Sequence, residues 1–217
     1  MRVKSFHAVA CVAAVALAAA VGSLAVADSS KDDKSGAQGD FKLPPGWTAE
    51  DMQRCMAAGT PGKMHEHLAQ GVGKWHAKTT MWMTPDAEPM KSEGLSTVSP
   101  IMDGRYMKAE MDGEMPGMGP YHGFGIYGYD NVSKEFVSTW IDNHSTGIMQ
   151  GTGELSEDGK TLTWTYTFNC PLKDGPTKMR EVETITGDNT KTLEMFGDDP
   201  KTGEEYKMMS IEFTKKS

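Results

Sequence analysis

Thr161-Leu162-Thr163-Trp164-Thr165-Tyr166-Thr167-Phe168 decides the fold. Four threonines alternate with Leu162, Trp164, Tyr166 and Phe168, so an extended chain has one apolar face and one polar face. Successive side chains of a strand point to opposite faces, and no helical stripe collects this period. The segment is a half-buried strand. Met209, Ile211 and Phe213 repeat the spacing near the C-terminus, and period two governs the chain from Gly73 onward. Turn residues interrupt it at Thr84-Pro85-Asp86, Met102-Asp103-Gly104, Pro116-Gly117, Asp130-Asn131, Asp158-Gly159, Asp174-Gly175-Pro176, Gly187-Asp188-Asn189 and Asp198-Asp199-Pro200. These separators imply about nine or ten strands joined without intervening helices. An all-β, antiparallel up-and-down barrel follows, because closure removes exposed sheet edges. A two-sheet sandwich is the other arrangement the pattern allows.

Upstream of Gly73 the period changes. Leu43-Pro44-Pro45-Gly46-Trp47 stiffens the chain, and Thr48 with Asp51 reads as a capping box opening a short helix to about Ala58. A second helix is expected with Thr60 as cap, Pro61 in its first turn and Gly71 as a left-handed stop. Residues Asp28 to Asp40 are Ser, Lys, Asp and Gly apart from Ala37 and Gln38, with no apolar side chain larger than Ala37, the composition of a tether. At the start, Arg2 and Lys4 precede an apolar run from Ala8 to Ala20, and Ala25-Val26-Ala27 has the small-x-small form of a cleavage site. The run is short for a membrane span and lacks a stop-transfer flank. The expected organisation is a signal peptide over 1–27, a tether over 28–46, a helical segment over 47–71 and a barrel over 72–217. The mature protein is then exported, to a periplasm or beyond the cell.

Loss of Arg2 and Lys4 moves the formal net charge from −8 to −10. That balance disfavours nucleic acid and anionic membrane surfaces as partners. Cys55 and Cys170 stand far apart in sequence, which leaves a disulfide between them open. Neither has the nearby His or basic run that makes a reactive thiolate.

A series of short motifs carries a family resemblance: His65-Glu66-His67-Leu68, Val72-Gly73-Lys74-Trp75, Gly104-Arg105, Gly128-Tyr129-Asp130-Asn131 with Lys134, Phe136 and Trp140, and Ser145-Thr146-Gly147. In this order, from about Thr60 to Lys215, they resemble the bacterial family called domain of unknown function 1579. The resemblance implies a lipocalin-like barrel and no established activity. Trp75 resembles the tryptophan that closes one end of lipocalin barrels. Phe136 and Trp140 are expected on one strand face with Ser138 between them.

A barrel of this size either fills with side chains or holds one small molecule. The leading expectation is an apolar or amphipathic ligand lined by Trp75, Met81, Arg105, Tyr127, Trp140 and Trp164. Arg105 and Arg180 are the cations that an inward strand position would bring to an acidic ligand group, or to Glu181, Glu183 or Asp142. Two other readings stand beside this one. An enzyme is the first, with Asp142, His144 and Arg180 converging at the barrel mouth. A haem- or copper-binding protein is the second. Methionine is abundant, 17 in the chain, and Met81 with Met83, and Met111, Met115 and Met118 running towards His122, are soft donors. His144, His122 and Met118 are the metal candidates. His65 and His67 point to different faces of a helix, and thioethers equally fill irregular apolar space.

Overall fold

The computed structural model describes residues 43–171 and 175–217. The expected signal peptide, and the tether as far as residue 42, lie outside the described residues. The chain divides into two compact units, Met1–Thr60 and Pro61–Ser217.

The first unit contains α1 (Ala49–Ala58). Thr48 and Asp51 form the expected capping box: the Asp51 N–H donates to Thr48 Oγ1 at 3.1 Å, and the Thr48 N–H donates to Asp51 Oδ2 at 2.9 Å. Each bond satisfies a backbone donor that has no partner inside the helix.

The second unit opens with α2 (Lys63–Ala69) and continues as β1 (Gly73–Met81), β2 (Met90–Ile101), β3 (Tyr106–Met115), β4 (Gly119–Asp130), β5 (Glu135–Asp142), β6 (Met149–Leu155), β7 (Thr161–Asn169), β8 (Pro176–Gly187), β9 (Thr190–Asp198) and β10 (Glu205–Lys215). Two expectations about α2 are corrected. Thr60 does not cap it; its hydroxyl donates to Met56 O at 2.7 Å, inside the first unit. The helix starts after Gly62, whose N–H donates to His65 Nδ1 at 3.0 Å, so an imidazole fills the role a Glu side chain fills in a capping box. Gly71 follows the helix without a left-handed φ; Gly73, at φ 137°, has the backbone that needs glycine.

Each strand pairs with the next in antiparallel register, and β1 pairs with β10, closing a ten-stranded barrel. Period two sorts side chains strictly. Leu162, Trp164 and Tyr166 of β7 are buried, as are Phe136 and Ser138 of β5 and Ile211 and Phe213 of β10. The threonines of β7 alternate with them at partly to fully exposed positions. Two register irregularities, at Ile185/Gly187 and Lys207/Met209, bend the wall.

The helix α2 lies across one barrel end. Leu68 packs against both core clusters, His65 sits edge-on to Tyr129 at 6.0 Å, and His67 to Phe136 at 6.2 Å. Trp75 is buried there, its Nε1 donating to Gly71 O at 2.9 Å. The opposite end is bounded by the connections over 82–89, 116–118, 143–148 and 199–204. None of the helices among the described residues is long and apolar enough to cross a membrane.

Candidate functional site

The barrel is not filled. A cavity of about 800 Å³ runs through its interior, within the range of small-molecule pockets. Its existence follows from where the large rings lie. Trp164 and Tyr166 lie flat against glycines of the neighbouring strand: a Cβ at Gly153 would stand 2.8 Å from Trp164 Cε3, and one at Gly151 would stand 2.7 Å from Tyr166 Cε1. With glycine at both positions the rings become part of the wall, and the centre stays open.

Cross-strand register builds the cavity's main feature. Met90 of β2 pairs with Met81 of β1, Met81 with Met209 of β10, and Met209 with Met195 of β9. The row continues through Glu181 of β8 to Trp164 of β7. All six residues line the cavity. Directly opposed side chains on one face have Cβ atoms roughly 5 Å apart, so the four thioethers form a continuous, polarisable ladder that ends on a carboxyl. Met107, Met111, Met115, Met149, Met179 and Met208 bring the methionines in the lining to ten.

Glu181 is the chemically unusual member. Its residue is 4% exposed, and burial, with the nearby Glu183 charge, pushes its carboxyl up to about 8 while Lys191 acts in the opposite sense. Lys191 is engaged elsewhere: its ammonium donates to Glu183 Oε1 at 2.6 Å and lies 5.1 Å above the rings of both Trp75 and Phe213. Tyr127 and Tyr166 stand close enough to feel Glu181, and burial raises both phenols well above their ordinary range. Tyr166 Oη, Ser138 Oγ and Trp164 Nε1 are enclosed without a hydrogen bond of ordinary geometry, although Tyr166 lies beside Ser138 and Tyr127.

At the mouth, Trp140 Nε1 donates to Tyr121 Oη at 3.0 Å, and burial pushes the Tyr121 phenol up to about 12. The His144 ring stacks on Tyr121 at 5.9 Å, and its backbone N–H donates to Asp142 Oδ1 at 2.9 Å.

Five of the residues expected to line the site, Trp75, Met81, Tyr127, Trp140 and Trp164, border this cavity. Arg105 does not. It sits at the β2–β3 turn at the α2 end, donating to Met102 O at 3.2 Å beside Asp103. Arg180 also faces outward, bonded to Glu205 at 2.7 Å and lying 4.0 Å over Phe196, so Asp142, His144 and Arg180 do not converge. The strand parity is the reverse of the one that would turn Arg180 inward, and Glu181 takes the interior position.

The soft-donor candidates are also dispersed. Met83 lies beyond the end of β1 and Met118 in the β3–β4 turn, both exposed. His122 faces outward with Nδ1 at 2.7 Å from Asp112, whereas Met81, Met111 and Met115 line the cavity. No cluster of three or more His, Cys, Asp or Glu suited to a metal occurs among the described residues. Neither Cys55 nor Cys170 is disulfide-bonded.

Similarity to one solved structure supports the architecture. The Rv2717c protein of M. tuberculosis superposes with a TM-score of 0.55 at 10% identity, over 73% of this chain and all of its own. An S-type phycobiliprotein lyase, CPES, from Guillardia theta gives 0.48 at 8% identity, over 72% of this chain and 94% of its own. No curated protein matches the sequence. Residues 60–215, from just before α2 to the end of the last barrel strand, match the family described as "Protein of unknown function (DUF1579)", and the chain belongs to that family.

Proposed function

We propose that this protein is an exported, non-catalytic binder of one small apolar or amphipathic molecule, held inside the barrel. The cavity of about 800 Å³, walled by ten methionines and flattened aromatic rings, is the observation that carries the reading. Unbranched thioethers with three rotatable bonds adapt to an apolar guest more readily than branched side chains do. Arg180, the anion holder of the acid–base alternative, is engaged on the outer wall by Glu205. Export is proposed on the basic start, the apolar run and Ala25-Val26-Ala27.

Native mass spectrometry of the protein isolated from its own cells without detergent tests both parts. The expected chain begins at Asp28 and carries one retained small molecule, or takes up one equivalent of added 1-decanol. A chain that keeps its first 27 residues contradicts the export reading. A bare chain that takes up no 1-decanol contradicts the binding reading.

A further inference from the structure

We infer that the ligand is an amphipathic organic cation, an alkyl or aryl amine whose charged head pairs with Glu181 while its apolar body lies along the methionine ladder. The inference rests on the binding reading above and specifies its ligand. Glu181 lines the cavity at 4% exposure, and among the described residues no hydrogen bond reaches its carboxyl. A carboxyl so placed is costly to ionise unless a cation meets it, and the adjacent ammonium, Lys191, is held by Glu183.

The surroundings favour a cation over other heads. Trp164 stands opposite Glu181 across the strand pair, Tyr127 lies 5.4 Å from Trp164, and Tyr166 lies 6.2 Å from it. Aromatic faces attract ammonium groups, the more so away from water. The residues bordering the cavity include six acidic ones, Glu93, Glu114, Asp142, Glu181, Glu183 and Asp188, against two lysines, Lys160 and Lys191. A ligand carboxylate would add a further negative charge to an acidic lining, and a hydroxyl head would give Glu181 a hydrogen bond without the counter-charge that lets it ionise. The chain's net charge of −8 also draws cations towards the barrel.

The proton accounting is simple. In the empty barrel Glu181 carries its proton below about pH 8. When an alkylammonium enters, the carboxyl releases that proton to solvent and an ammonium–carboxylate pair remains. The titratable groups that interact with Glu181 are Glu183 on its own strand, Lys191 on β9, Tyr127 on β4 and Tyr166 on β7, together with Tyr121 on β4, whose phenol burial raises to about 12; Asp142 and His67 also border the cavity. Burial holds the Tyr127 and Tyr166 phenols above this range, and it pulls His67 below its ordinary value. Affinity for an alkylammonium therefore rises up to about tenfold per unit between pH 6 and 8 and levels off above.

Decylamine, 1-decanol and decanoate share one tail and differ in the head, and tryptophan emission reports their binding because Trp75, Trp140 and Trp164 line the cavity. At pH 8 decylamine is expected to bind at least tenfold tighter than the other two. Glu181→Gln is expected to abolish that preference and the pH slope. Equal affinity for all three probes, or a preference that survives Glu181→Gln, overturns the inference and leaves the binding reading standing. A flat decylamine affinity from pH 6 to 8 in the native protein does the same, without needing the variant to fold. Failure of all three probes to bind overturns the binding reading itself.

Discussion

Glu181 ties the chemistry of the interior to stability. Its carboxyl is raised from the ordinary 4.5 to about 8, so the folded barrel holds this proton more tightly than the unfolded chain does. The group's contribution is complete below about pH 4.5 and is lost as the pH rises towards 8, with a limiting slope of about 1.4 kcal/mol per pH unit. Glu181→Gln removes the titration. Urea midpoints compared between pH 5 and 8 are expected to show the native protein losing ground to the variant as the pH rises, and parallel profiles would sink the assignment. The residue was hard to find from sequence. Arg180, Val182 and Thr184 alternate with Glu181, Glu183 and Ile185, each set mixing charged and uncharged side chains, so period two alone cannot choose the inner face. The register settles it, because Glu181 pairs with the inward Trp164. For Trp164 itself the sequence was decisive, since threonines flank it on both sides.

Among the elements, turns and wall glycines do different jobs. Asp130 ends β4 by accepting the Val132 N–H at 2.8 Å and the Ser133 hydroxyl at 3.0 Å, and these bonds hold its carboxyl below the usual range. Asp130→Ala is expected to cost about 1 kcal/mol in denaturant unfolding. Gly153 is a wall position. Gly153→Ala would drive a methyl into the Trp164 ring and is expected to cost about 1–3 kcal/mol, with weaker probe binding as the ring tilts into the cavity. Gly147→Ala meets no atom within 4 Å and is expected to stay within about 0.5 kcal/mol of the native protein. Equal losses at the two positions would contradict the account of how the cavity is kept open. Eight of the nine strand connections were legible from Gly, Pro, Asp and Asn clusters. The ninth, over 143–148, was not counted as a turn, and it carries His144 onto Tyr121 at the mouth. The methionine ladder was invisible for a different reason: it assembles residues from four strands, and only register places them in a row.

For the whole molecule, closure of the β1–β10 pair removes every sheet edge and leaves an interior too large for its own side chains to fill. Composition announced a methionine-rich protein, and the fold turns ten of those methionines to one cavity. The central claim is that this cavity takes a guest. Its most direct test is equilibrium titration of neutral Nile red against the native barrel and against a Thr79→Trp/Ser92→Trp double variant, two positions that line the cavity with small side chains. Saturable binding of one dye per native barrel, weakened at least tenfold in a variant that keeps the native fold, is the predicted result. No saturable binding to the native barrel, or equal binding to the folded variant, would contradict the account.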